Sequence, residues 1–355
     1  MNIHPDKTPV TDIPSLASRR QALRSAAAAI AAPALVACGG GSSSFSSFAQ
    51  TAPTAVSQAI NDFAAMGPDT SGALVRADVP IAPWSTGQGT ERKLFAASAV
   101  KTFILAQFLR GAEAAGSSIG LSTRCEVSDA QRSISSSVLG GLTGTSNYGN
   151  VLDAMIARSD NTATDIAMAA AGPDRVRALI AQAGLTNTQI FDSTRRVFSY
   201  LAGAPIGVDL GWPGMLKILS GDGAGLTPRT DVINSTESML SSASDLVSWY
   251  QQALTGKFFS TAASLREFKR ISSQATALWQ VVPADVISYG KGGSIDWEDF
   301  HALSLAGQMR FNNVPVTFAF VLNWRGGETS NERTPAFGAA ASKVLNAVAD
   351  ALRKA

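Results

Sequence analysis

Ser98-Ala99-Val100-Lys101 opens an apolar run in which Val100, Phe103, Ile104, Phe108 and Leu109 recur at helical spacing up to Gly111. The serine therefore sits at or next to a helix N-terminus, with the lysine three residues on along the same face. Upstream, residues 55–66 predict an amphipathic helix stopped by Gly67-Pro68, and 72–76 and 92–95 predict short strands around a turn region. Downstream, residues 101–280 read as helices joined by Gly, Ser and Asn loops. Two strands follow, 301–310 and 314–324, and then a closing helix, 336–352, just after Pro335, a residue suited to a helix start. The simplest assembly is α+β: early and late strands share one antiparallel sheet, helices flank it, and an all-helical lobe is inserted between them.

The chain has 355 residues, 45% of them hydrophobic and 16% charged, which excludes wholesale disorder and allows a sizeable core. A formal charge of +2 without a long basic run leaves no electrostatic footprint for nucleic acid. With two cysteines and two histidines, neither a disulfide framework nor a His-built metal site is expected. The chemistry is thereby narrowed to hydroxyl, amine, amide and carboxylate groups. Cys125 reads as a small buried apolar residue.

The N-terminus reads as an address and a tether. Ser18-Arg19-Arg20-Gln21-Ala22-Leu23-Arg24 precedes a short, weakly apolar run and resembles a twin-arginine export signal. Leu35-Val36-Ala37-Cys38 resembles a bacterial lipobox, which implies lipidation of Cys38 after removal of residues 1–37. Ordinary cleavage near Ala37 is the alternative. Residues 38–54, which begin Cys-Gly-Gly-Gly-Ser-Ser-Ser, are a flexible tether to a body spanning 55–355. The body is expected outside the cytoplasm, in the periplasm and held to the envelope membrane by its lipid anchor. Gly39, which lacks acidic character, favours the outer membrane. Losing 1–37 removes Lys7, Arg19, Arg20 and Arg24 against Asp6 and Asp12, so the exported chain carries no net charge. His301 is then its only histidine.

Three short motifs carry the chemistry. In Ser98-x-x-Lys101 an amine that can lose its proton stands beside a hydroxyl, and the helix N-terminus adds free N–H groups suited to a developing oxyanion. Ser159-Asp160-Asn161 lies between two helical stretches, one over 151–157 and one beginning near Thr162, and alone is an ordinary helix cap. Lys291-Gly292-Gly293-Ser294 follows the strand-like 286–290, where glycines could open a strand edge to a substrate. Alone it is a turn.

Together and in this order, the three resemble the signature of penicillin-recognising serine enzymes, and the chain resembles class A β-lactamases within the broad β-lactamase and transpeptidase superfamily. The likeness extends over roughly residues 55 to 355 and includes Phe95-Ala96-Ala97 before Ser98. It implies a site in the cleft between sheet and helical lobe. Ser98 would be the acylated nucleophile, Lys101 would help deprotonate it, and Ser159 would relay a proton to the leaving nitrogen. Lys291 would hold Ser159 and a substrate carboxylate, and Asn161 would bind a side-chain amide. Gly293 and Ser294 fall on the substrate side, where the N–H groups of Ser98 and Ser294 would form the oxyanion hole. The implied activity is acyl hydrolysis of a small molecule, β-lactam ring opening first, by a monomer needing no metal or organic cofactor. An esterase or D-Ala-D-Ala-type peptidase, and a penicillin-binding sensor acylated without turnover, are the alternatives.

The sequence departs from that pattern at two places. Class A enzymes carry a glutamate after the Ser-Asp-Asn motif that activates the deacylating water, but no Glu occurs from Thr162 to Thr236. The corresponding stretch, 191–200, carries Arg195 and Arg196 instead, and a long connection from Gly203 to Thr230 follows. Asp192, Asp209 and His301 are the candidate replacement bases, each with a plain structural role as its alternative. Gly292 stands where the family more often has Thr or Ser, which moves carboxylate recognition toward Ser294, Arg310 or Arg325. Tyr289, Trp297 and Phe300 could line a cleft for an apolar acyl group or pack in the core, and Asp296, Glu298 and Asp299 could form a solvated turn.

Overall fold

A computed structural model describes residues 50–222, 225–284 and 286–354. The export signal expected at 1–37, Cys38 and the tether up to residue 49 lie outside the described residues. The end of the expected tether already belongs to the body. The Gln50 N–H donates to Pro83 O at 3.3 Å and Ala52 is buried.

The chain begins with α1 (Thr54–Ala64), β1 (Ser71–Ala77), β2 (Trp84–Gln88) and the two-residue β3 (Leu94–Phe95). A 3-10 turn, Ala97–Val100, leads into α2 (Lys101–Glu113), followed by a small hairpin, β4 (Arg124–Val127) and β5 (Gly144–Asn147). Helices α3 (Tyr148–Ala157), α4 (Asn161–Ala171), α5 (Pro173–Gln182), α6 (Thr194–Leu201) and α7 (Gly211–Leu219) complete the first half of the lobe. After β6 (Leu240–Ser241) come α8 (Ala243–Leu254), α9 (Ala262–Ser272) and α10 (Thr276–Trp279). The chain closes with β7 (Ile287–Trp297), β8 (Phe300–Phe311), β9 (Val314–Arg325) and α11 (Ser330–Lys354).

Early and late strands share one antiparallel five-stranded sheet, in the order β2-β1-β9-β8-β7. Its central strands are nearly continuous apolar runs because both faces are covered. Phe318 and Phe320 of β9 stack at 5.9 Å, and Phe63 of α1 packs 5.1 Å from Phe320 and 5.5 Å from Phe337 of α11. Gly72 of β1 faces Ala243 of α8 from the other side. The lobe is built round α2, whose residues from Lys101 to Leu109 are all buried. Phe103 lies 4.6 Å from Trp249 of α8, and the Trp249 indole N–H donates to Thr102 Oγ1 at 3.0 Å.

Several elements differ from the sequence expectation. The strand expected over 92–95 contributes only β3, which leaves the main sheet to pair with β6. The Phe95 N–H and C=O are instead taken by the Asn323 amide of β9, at 2.9 and 3.0 Å, so the chain turns off the sheet there and delivers Ser98. β2 falls in the region read as turns, and α7 in the long connection after Gly203. The closing helix starts at Ser330, with Pro335 inside it, because Thr329 and Glu332 form a reciprocal capping box. That cap outweighs the proline as a start signal. The lysine-glycine motif lies in the middle of one continuous strand, β7, at the free edge of the sheet.

Asn323→Ala strands two buried backbone groups of Phe95 and should destabilise the fold by about 2–4 kcal/mol. Urea unfolding measures this, and a change within error of zero would remove Asn323 as the tie between sheet and site.

Candidate active site

The segment bearing Ser98 is held from three directions. The Ala96 N–H donates to Met239 O at 2.8 Å, Ser304 Oγ donates to Ala96 O at 2.6 Å, and Asn323 holds Phe95. Ala97 adopts a left-handed backbone, φ 47°, immediately before the half-buried Ser98. Strained backbone of this kind persists where the surroundings over-determine it. The edge strand β7 then passes so close that a Cβ on residue 293 would lie 2.4 Å from the Ser98 nitrogen and 3.0 Å from Ala96 O. Only glycine at 293 lets the strand approach.

Lys101 projects from the first turn of α2 into a fully buried position. Its Nζ donates to Ser159 O at 2.6 Å and to Asn161 Oδ1 at 2.7 Å, with Ser159 Oγ farther off at 3.4 Å. Burial, and then the charge of nearby Lys291, push Lys101 well below the ordinary lysine range, toward the neutral amine. Lys291 reaches Ser159 from the sheet side, donating to Ser159 Oγ at 3.0 Å and to Gly292 O at 2.6 Å. Burial pushes its amine down to about 7. Ser159 Oγ thus lies between two amines that burial drives toward neutrality.

Ser159 itself is left-handed, φ 57°, because the chain reverses between the end of α3 and the start of α4. Asp160 caps α4 through Ala163 N at 2.8 Å. It also accepts from Val138 N at 2.8 Å and Leu139 N at 2.9 Å, tying down the loop that forms the opposite wall. Asn161 is used at both ends, accepting from Lys101 and donating its Nδ2 to Ile134 O at 2.9 Å. Asp165, one turn further along α4, holds Thr194 N at 2.6 Å at the start of α6, and burial pushes its carboxyl up to about 7 against those hydrogen bonds.

Ser98, Ser159, Asn161 and Ser294 line one cleft of about 780 Å³, with Ile134, Phe198, Ile218, Leu219 and Trp297 as its apolar wall. A smaller adjoining space of about 220 Å³ is lined by Ser159, Lys291, Gly292, Gly293 and Ser294. All seven residues expected to carry the chemistry, Ser98, Lys101, Ser159, Asn161, Lys291, Gly293 and Ser294, are brought together here. The hydrogen bonds of Lys101 run to Ser159 and Asn161 rather than to Ser98.

The candidate replacement bases are not brought in. Asp192 is bridged by Arg177 and Arg196, Asp209 is held by Arg195, and neither lines the Ser98 cleft. The first glutamate after the Ser-Asp-Asn motif, Glu237, is buried against Arg196 at 2.7 Å, also away from the cleft. His301 is buried with its Nδ1 2.6 Å from Asp296 and its ring stacked on Trp324, and it lines neither space. Of the aromatics, Trp297 reaches the cleft, whereas Phe300 packs edge-on to Phe95 in the core. At Gly292 the missing side chain has a steric cause: a Cβ there would lie 2.6 Å from Ala277 Cβ of α10. Asn323, Ser304 and the 134–137 loop escaped the sequence reading because only strand pairing and loop packing bring them to Ser98. Arg158 escaped it as well, although its place directly before Ser159 was a signal the sequence offered.

The chain belongs to the beta-lactamase enzyme family whose model, Beta-lactamase2, matches residues 55–346. It is a serine hydrolase of β-lactamase type. None of the curated proteins matches it in sequence. Among solved structures it is similar to PBP-A, including a leucine-to-glutamate variant captured as an acyl-enzyme complex with penicillin G, at TM-score 0.60 and 16% identity over 84% of this chain and 97% of that one. It is also similar to a class A β-lactamase from Mycobacterium abscessus, at TM-score 0.61 and 16% identity over 82% of this chain and 99% of that one. A β-lactamase from Sphaerobacter thermophilus gives TM-score 0.62 and 17% identity over 83% and 96%.

Gly293→Ala should lower the rate of modification of Ser98 about 100-fold with the fold retained, because the new Cβ displaces β7 from the serine. Stopped-flow labelling with an activated ester beside circular dichroism checks both halves. The buried lysines also set a pH dependence of stability. Between about 7 and the ordinary 10.5, the unfolded chain holds a proton on Lys291 that the folded chain has released, so stability rises with pH across that window. In Lys291→Met the rise should shrink, and denaturant unfolding at pH values spanning the window would show it.

Proposed function

We propose that the chain forms a covalent acyl-enzyme on Ser98 with a small-molecule substrate, a β-lactam in the first instance. The observation that carries this reading is the Lys101–Ser159–Lys291 chain of amine and hydroxyl groups beside a serine whose N–H faces Gly293. A neutral Lys101 has two N–H bonds and one lone pair. Ser159 O and Asn161 Oδ1 take the two donors, so the lone pair is left to accept the Ser98 proton. Ser98 Oγ then bonds to the acyl carbon while the N–H groups of Ser98 and Ser294 hold the oxyanion. As the carbon–nitrogen bond breaks, Ser159 passes its proton to the leaving nitrogen and regains one from Lys101. Lys291 orients the Ser159 hydroxyl throughout.

Clearance of the ester is the slow step of this reading. Asp192, Asp209 and Glu237 are ion-paired away from the cleft, which supports a second reading, a penicillin-binding protein or sensor acylated without turnover. An esterase or peptidase would use the same acylation chemistry. The apolar wall of Phe198, Ile218, Leu219 and Trp297 suits an apolar acyl group in any of these. The same proposal places the body outside the cytoplasm on a lipid anchor at Cys38, supported by the lipobox-like Leu35–Cys38 and the Gly/Ser run after it.

Intact-mass spectrometry of the chain mixed with benzylpenicillin should show an adduct of the full penicillin mass that is absent in Ser98→Ala. An adduct that clears as penicilloate accumulates supports the hydrolase, and one that persists supports acylation without turnover. An adduct retained in Ser98→Ala would overturn both.

A further inference from the structure

Carboxylate recognition in this cleft needs a cation, and the groups first expected to supply it are committed elsewhere. Lys291 spends its hydrogen bonds on Ser159 Oγ and Gly292 O, and burial draws it toward the neutral amine. Lys101 is buried behind it and likewise engaged. Gly292 offers no hydroxyl, and Ala277 fills the space one would need. Arg310 donates to Asn313 O at 3.2 Å, and Arg325 is held by Asp299 and by Thr230 O at 2.8 Å. Neither arginine lines the cleft or the smaller space.

Arg158 differs from all of these. It terminates α3 directly before Ser159, its backbone N–H donating to Ala154 O at 3.1 Å. Its side chain is exposed, and among the described residues no hydrogen bond or ion pair engages the guanidinium. It lines both the 780 Å³ cleft and the 220 Å³ space, which meet at Arg158, Ser159 and Ser294. A guanidinium keeps its charge and presents a fork matched to a carboxylate, so it does not share the weakness of a buried lysine.

The larger cleft also carries a group of the opposite sign. Asp296 lines it and does not line the smaller space. Burial works against its charge, but hydrogen bonds from Ser330 N at 2.7 Å, Ser330 Oγ at 2.7 Å and His301 outweigh this and hold its carboxyl below the usual carboxylate range. An anionic group in the larger cleft is therefore repelled by Asp296 and attracted by Arg158. We propose that Arg158 is the carboxylate anchor of this site, so that the substrate is an anionic acyl compound whose carboxylate sits where the two spaces meet. This rests on the acyl-transfer reading of Ser98. It gives the substrate one orientation, with the carboxylate at Arg158, the scissile bond toward Ser98 and the acyl group along the apolar wall of the larger cleft.

The test separates binding from acylation. In a Ser98→Ala background, which cannot form the ester, calorimetry measures binding of benzylpenicillin and of its methyl ester, with and without Arg158→Gln or Arg158→Lys. Arg158→Gln should weaken benzylpenicillin about 10- to 100-fold, the range of a charge-assisted pair, and leave the methyl ester unchanged. Arg158→Lys should recover part of the loss, since charge is kept and the fork is not. Equal losses for acid and ester, no loss for the acid, or a parent that binds neither ligand or both equally would each overturn the anchor. The acyl-transfer reading stands or falls separately, on the mass of the chain with Ser98 intact. An exposed side chain without contacts leaves folding unaffected, and matching melting curves verify that.

Discussion

The closeness of β7 to the Ser98 segment is the constraint on which the rest of the site depends. Glycine at 293 lets an edge strand of the sheet lie against the backbone of a helix start that belongs to the lobe. The approach brings Lys291 across to Ser159 and puts Ser294 in the same cleft as Ser98. It can hold only because the serine segment is itself immobilised, by Asn323 at Phe95 and by Met239 and Ser304 at Ala96. Sheet and lobe thus meet through side-chain and backbone bonds at the point where the chain leaves β3.

The electrostatics follow from that packing. Two lysines are buried within reach of one serine hydroxyl, and among the described residues no carboxylate is in direct contact with either. Desolvation acts on both, so each amine gives up charge and basicity together and is left with a free lone pair. The carboxylates nearby are spent on architecture: Asp160 on the cap of α4 and the facing loop, Asp165 on the start of α6. A segment that in class A relatives is expected to present a glutamate is here stapled by arginine pairs, Arg195 with Asp209 and Arg196 with Asp192 and Glu237. The groups proposed for acylation stand together in this geometry, while no glutamate lines the cleft among the described residues.

Much of this was legible in the sequence. The 3.6-residue spacing after Ser98 marks α2, the long apolar runs mark β8 and β9, and three separated motifs name the groups that converge. Readings failed where a local signal met a stronger neighbour or a distant partner. Residues 92–95 have strand character, yet Asn323, far along the chain, takes the bonds a sheet neighbour would have taken. Pro335 looks like a helix start, but the Thr329–Glu332 box begins the helix earlier. Asp192, Asp209 and His301 were reasonable bases by residue type and position, and each is claimed by a partner, Asp192 by Arg177 and Arg196, Asp209 by Arg195 and His301 by Asp296.

By itself, then, the sequence determined the α+β architecture and the family signature, and it named the residues that the fold gathers round Ser159, because periodicity and short motifs are local properties of the chain. Tertiary structure alone decided that Gly293 must lack a side chain, that Gly292 has no room for one, and that Arg158 is left unpaired among the described residues while Arg310 and Arg325 are not. It also decided the depressed basicity of Lys101 and Lys291. Steric room, pairing and desolvation are set by what surrounds a residue in space, and residues distant in sequence supply most of those surroundings.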